Sequence, residues 1–206
     1  MSGLPNNRVA TANTEPLSST NYLIKHYPHR GGITALGLGD MSGFAALYPD
    51  IPVYSYEGRD FPFPDLAFDI VHSNAVIEHV GSADAQRHFL RELRRVGRSG
   101  MITTPNKYFP IETHTLLPFL HWTDEDTFRQ RIQRIGSKRI ERVYRRLGLT
   151  FPTSELADLR LVGARELRAL AVQAGMVDFE VRTHAMFGWP FAVTLTWREG
   201  KAGPRD

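Results

Sequence analysis

The chain has 206 residues, 42% hydrophobic and 23% charged, with a formal net charge of +3. That length suits one well-buried domain carrying an insertion, and the composition excludes a wholly disordered or fibrous chain. No apolar run approaches the ~20 residues that span a bilayer, the start MSGLPNNRVATANTEPLSST has no apolar signal-peptide core, and the absence of Cys rules out disulfides and thiolate metal sites, so a cytoplasmic location is the default expectation.

Residues 1–20 are rich in Asn, Thr, Ser and Pro without periodicity and read as a flexible arm with no chemistry, ahead of a single domain over 21–206. A strand from Ile33 to Leu38 runs into a Gly-rich turn, LGLGDMSGF, and AALYPD reads as a short helix stopped before Pro49. A second strand, IPVYSYEG, ends on Glu57. After a Pro-Asp turn, Phe68, Ile70 and Val71 predict a central strand covered on both faces, and its polar exit, His72-Ser73-Asn74, lies where open α/β sheets bind ligands. Phe89, Leu90, Leu93 and Val96 then mark a helix face that stops at Gly97. GMITTPN is the next strand. Strand and helix alternate to this point, the pattern of a parallel sheet with right-handed crossovers.

Residues 107–160 read as an insertion: a Pro- and aromatic-rich loop, KYFPIETHTLLPFLHW, then the basic segment RQRIQRIGSKRIERVYRR. Ile132, Ile135, Ile140, Val143 and Leu147 recur at helical spacing and give that segment a packing stripe. Its charge allows weak contact with an anionic surface. It lacks the interleaved exposed aromatics of a single-strand binder, and nucleic acid is not expected as a partner. The core resumes with the helix GARELRALAVQAGM, Leu167, Leu170 and Ala171 inward, and two closing strands with no helix between them, which must form a hairpin.

In this order, LGLGDMSGF, FPFPDLAFDIVHSNAVIEHV, RELRRVGRSGMITTPN and the closing helix and hairpin resemble class I S-adenosylmethionine-dependent methyltransferases of the small-molecule type, over about Ile33 to Trp197. The resemblance implies a Rossmann-like α/β fold, a doubly wound, mostly parallel sheet closed by a C-terminal antiparallel hairpin, with S-adenosyl-L-methionine across the carboxyl ends of the first strands. The family's glycine motif falls on Gly37 to Gly43. Gly39 and Gly43 match it, Met41 stands where the middle glycine is usual, and Gly37 replaces the acid expected to hold the cofactor's amino group. By the same resemblance Glu57 matches the acid that binds both ribose hydroxyls, a carboxylate having the two acceptor oxygens a vicinal diol requires. The helix and strand usual after that acid are missing: either the sheet lacks an edge strand, or Glu57 and Asp60, near the family's adenine loop, merge two roles. Ser73 and Asn74 correspond to residues beside the methionine moiety.

On the acceptor side the resemblance places His79 on the turn facing the transfer region. Glu112 and His114, two apart in an extended loop, suit a base and its orienting carboxylate. His121 could join them around a metal, but the spacing matches no standard motif and no metal is assigned. Tyr108, Phe109, Trp122 and Trp189 would make an apolar, aromatic pocket for a small-molecule acceptor, methylated at oxygen or carbon. The rivals are a non-catalytic relative that binds a partner, a nicotinamide dehydrogenase lacking its fingerprint, and a nucleic-acid methylase lacking the Asn/Asp-Pro-Pro-aromatic signature. Acceptor identity and oligomeric state are not legible in the sequence.

Overall fold

The computed structural model describes residues 7–11, 22–148 and 159–198. Seven strands, β1 (Asn7–Thr11), β2 (Ile33–Leu38), β3 (Val53–Tyr56), β4 (Phe68–Asn74), β5 (Gly97–Pro105), β6 (Phe179–Met186) and β7 (Trp189–Arg198), form one sheet in the order β3-β2-β1-β4-β5-β7-β6. The first five run parallel, and β7 is antiparallel to both β5 and β6. The expected hairpin closure is present, and β3 is an edge strand with nothing beyond it among the described residues.

Asn7–Thr11 correct the reading of 1–20 as an arm, because they form β1 between β2 and β4. Five residues reading Asn-Arg-Val-Ala-Thr carry no alternation to announce a strand; the ladder bonds offered by a neighbour on each side decide it. The rest of that reading lies outside the described residues.

Among the helices, α1 (Tyr22–His26) and α2 (Ser42–Leu47) pack on one face of the sheet, where Ile24, Ile33, Ala35, Met41, Phe44 and Ile51 form a buried cluster. Helix α3 (Ala83–Val96) starts at Ser82, whose hydroxyl accepts the Ala85 N–H at 3.2 Å, and buries Phe89, Leu90, Leu93 and Val96 against the other face. Helix α6 (Ala164–Gln173) joins it there through Leu167, Leu170 and Ala171. These two helices and the strands Phe68, Val71, Ile102, Val193 and Leu195 line make the main core. The expectation that β4 is covered on both faces is not met: its burial alternates, with Asp69 and Asn74 exposed and Ile70 half-buried.

The basic segment is two helices, α4 (Glu125–Ile135) and α5 (Ser137–Arg146), broken at Gly136, whose φ of 73° a side chain would resist. Ile140 and Tyr144, one turn apart, are buried, whereas Leu147 is 60% exposed.

Candidate active site

Two halves of a site meet at the carboxyl ends of the parallel strands. The first is the turn after β2. Gly39 sits at φ +67° and its N–H donates to the Tyr56 carbonyl at 3.2 Å, tying the turn to the end of β3 and setting Glu57 beside it, exposed to solvent. A Cβ built on Gly39 or Gly43 meets nothing within 4 Å, so both face open space. Gly37 differs. A Cβ there would lie 2.1 Å from the Met41 sulfur. The two departures from the glycine motif are therefore one event in space: Met41 folds back over Gly37 and is buried with Phe44 and Ile51. Gly37 accommodates a core side chain. Asp40, given no role from sequence, accepts the Ser42 backbone N–H at 2.8 Å and its hydroxyl at 3.0 Å. The backbone bond first, and the hydroxyl second, hold its carboxyl below the usual range. An Asp two residues before a Ser at a helix start was the signal available for it.

Asp60 pairs instead with His88 of α3 at 3.1 Å. Ser73 and Asn74 separate by the alternation of a strand. Asn74 is exposed at the strand end, while Ser73 points into the core, fully buried, its hydroxyl without a hydrogen-bond partner among the described residues.

The second half is built from the ends of β4 and β5 and the loop after β5. Beyond Asn74 the backbone passes through Ala75 at φ 52°, its N–H held by the Thr103 carbonyl at 2.8 Å, into a single 3-10 turn, Ile77–His79. Buried Gln86 of α3 donates to the Ile77 carbonyl at 2.9 Å and the Arg160 carbonyl at 2.8 Å, fixing that turn from behind. Glu78 is fully buried, and its Oε2 accepts the Thr104 hydroxyl at 2.8 Å. His79 turns the other way, with Nε2 3.1 Å from Nε2 of His114.

His114 is 8% exposed and Glu112 1%. Glu112 Oε1 takes both the backbone N–H of His114 at 2.9 Å and its ring Nδ1–H at 2.7 Å. Burial pushes the Glu112 carboxyl up, but the His114 ring bond, its charge and the backbone N–H outweigh this and leave it below the usual range. The loop owes its place to α5. The Tyr144 hydroxyl reaches the Thr113 carbonyl at 3.2 Å and the His114 carbonyl at 3.0 Å. Sequence reasoning missed Tyr144 because its partners are loop carbonyls, which no pattern marks.

The structure thus brings Glu112, His114 and His79 into one chain of contacts, as the sequence suggested for the first two. His121 stays out of it. Its Nε2 meets the Phe109 carbonyl at 2.8 Å, and burial keeps its pKa below the ordinary value. Tyr108, Trp122 and Trp189 are 57%, 42% and 49% exposed, so they rim this edge and do not wall an enclosed pocket. A cleft of about 480 Å³ lies at the amino end of β5, among Asp65, Arg91, Arg98 and Trp197, away from these groups.

A Methyltransferase domain model matches residues 44–103, from α2 through most of β5. No curated protein sequence matches the chain significantly. Solved structures do. A SAM-dependent methyltransferase from Aquifex aeolicus aligns at 14% identity and TM-score 0.56 over 95% of this chain and 85% of its own. One from Thermotoga maritima aligns at 14% and 0.54 over 93% and 82%. A Rhodobacter sphaeroides protein named as a Zn-dependent alcohol dehydrogenase aligns at 14% and 0.54 over 95% and 84%. At such identity the alignments establish the fold, and the sequence match adds a likeness to methyltransferase domains over residues 44–103. The residues fit the cofactor that family uses: open backbone at Gly39 and Gly43, a solvent-facing acid at Glu57 beside them, and an exposed amide at Asn74. A methyltransferase-domain match spanning α2 to β5, set in a sheet closed by a reversed hairpin, makes the chain similar to class I S-adenosylmethionine-dependent methyltransferases.

Proposed function

We propose that the protein methylates a small organic acceptor, at oxygen or carbon, held against the His79–His114 pair. Bound S-adenosyl-L-methionine supplies an electrophilic methyl group on a sulfonium. The protein's part is to align the acceptor and accept or disperse its proton. Gly39 and Gly43, which leave the backbone bare, would hold the methionine and ribose portions, Glu57 would offer two oxygens to the ribose diol, and Asn74 would meet the methionine end.

The observation that carries this reading is the chain Glu112–His114–His79, with contacts of 2.7 and 3.1 Å, beside the exits of β4 and β5. Glu112 takes the Nδ1 proton of His114 in a hydrogen bond, which sets the tautomer and leaves the Nε2 lone pair facing outward toward His79. That lone pair can receive an acceptor's proton, and the buried carboxylate behind it steadies the charge that results. Exposed Arg131, Arg134, Lys138, Arg139 and Arg142 on α4 and α5 supply positive potential that favours acidic acceptors.

Replacing His114 with Ala tests the reading. Turnover should fall by ~10²–10⁴, the usual contribution of a positioned base, with the cofactor's dissociation constant nearly unchanged. Full turnover in a folded variant would mean that alignment alone carries the reaction, as for an acceptor already acidic or carbanionic.

A further inference from the structure

We infer that this edge is a divalent transition-metal site, with Nε2 of His79, Nε2 of His114 and the Glu78 carboxylate as ligands and Glu112 as the carboxylate that orients one of them. The inference rests on the reading of this edge as the acceptor subsite, and it names what would hold the acceptor there. One ligand atom from each of Glu78, His79 and His114 lies within 4.8 Å of the other two. The two Nε2 atoms are 3.1 Å apart. Two imidazole nitrogens at ~2.0–2.1 Å from one tetrahedral zinc ion would stand ~3.3 Å from each other, so only a small adjustment separates this pair from a ligating one.

The surroundings match how ligating imidazoles are held. His114 gives its Nδ1–H to Glu112 at 2.7 Å, which directs the Nε2 lone pair at the site. Glu78 is steadied by the Thr104 hydroxyl at 2.8 Å, and its backbone carbonyl accepts the Arg160 N–H at 2.7 Å. Glu78 and Glu112 are 0% and 1% exposed. Two nitrogens and one carboxylate favour zinc, iron, cobalt or nickel over magnesium or calcium. Three protein ligands also leave coordination positions open. An acceptor oxygen bound at one of them becomes more acidic and releases its proton to water. With the cation bound the His114 lone pair is a ligand, and the role of base given to it above belongs to the cation-free protein. No short motif announces the site because His79 and His114 are 35 residues apart.

The test is titration of Zn²⁺ and Co²⁺ into chelator-stripped full-length protein, by calorimetry and by the visible absorption of Co²⁺, without cofactor or acceptor. Expected are a single cation per chain, loss of binding in His79→Ala and His114→Ala, and a ~10–100-fold weaker dissociation constant in Glu112→Gln, the usual cost of losing such a supporting carboxylate. His88→Ala, in the separate Asp60–His88–Glu92 cluster, should leave binding unchanged. Should His114→Ala not fold, the half-buried His79 carries the same test as His79→Asn, with each variant's fold checked by S-adenosylmethionine binding. The inference is overturned by no saturable binding up to ~100 μM cation, by binding kept in the His79 variants, or by loss in His88→Ala alone. A wild type that binds no cation while His114→Ala abolishes turnover removes the metal and leaves the proposed methyl transfer standing. Cation binding by the wild type with full turnover in His114→Ala keeps the metal site and removes this edge from the methyl transfer.

Discussion

Tyr144→Phe isolates the contribution of α5 to the active edge. The ring is buried at 6% exposure, and Phe keeps its packing while deleting the hydroxyl that spans the Thr113 and His114 carbonyls at 3.2 and 3.0 Å. One neutral hydrogen bond is worth ~0.5–1.5 kcal/mol, and leaving a buried acceptor unpaired raises the cost toward ~1–3. A loss of ~1–2 kcal/mol in unfolding free energy is expected, read by urea titration with unchanged slope. If about 1.4 kcal/mol of it falls on the placement of His114, turnover drops about tenfold. Cofactor affinity, set at the far half of the site, should not move. The decisive assay is a double-mutant cycle with His114→Ala. If Tyr144 acts through His114, Tyr144→Phe costs no further turnover once His114 is gone. Additive losses in the cycle, or full turnover in the single variant, would refute the idea that α5 positions the imidazole.

Two further expectations concern other parts of the molecule. Glu57→Ala should weaken S-adenosylmethionine binding by at least ~1.5 kcal/mol, the loss typical of hydrogen bonds to a charged group, and an unchanged calorimetric dissociation constant would remove Glu57 from the ribose site. Glu92 accepts the Phe61 N–H at 2.8 Å and two Arg95 nitrogens at 2.8 and 2.6 Å; burial raises its carboxyl pKa, but these partners outweigh burial and leave it lowered. A depressed folded pKa stabilises the protein above the unfolded value of ~4.3 and loses that contribution as pH falls through the folded value. Glu92→Gln should therefore lower the melting temperature at pH 7 and flatten its acid decline, whereas an unaltered acid limb would assign the decline to other carboxylates.

The parts of this fold that repeat were legible in the sequence. The four apolar positions of α3, the three of α6 and the closing hairpin each follow a period that burial enforces. What escaped depends on distant partners. Five residues of β1 become a strand only because β2 and β4 stand open on either side. In the basic segment Tyr144 is buried and Leu147, which caps the end of α5, is exposed. Within the site, Glu112 and His114 were readable as neighbours in sequence, and so was the open backbone at Gly39 and Gly43. The fall of Ser73 into the core and of Asp60 onto His88, and the meeting of His79 with His114, are set by strand register and loop closure that no local spacing encodes.

The overlap of Met41 and Gly37 also constrains how this turn could change by mutation. A side chain introduced at Gly37 alone, including the acid usual in relatives, would collide with the sulfur and force Met41 out of its buried cluster. Shortening Met41 alone would leave a cavity beside Phe44 and Ile51. Each single step is a loss that the pair together avoids, so the two positions are strongly epistatic. An evolutionary path between this turn and the three-glycine form has to cross a fitness valley or change both residues within one lineage before selection acts.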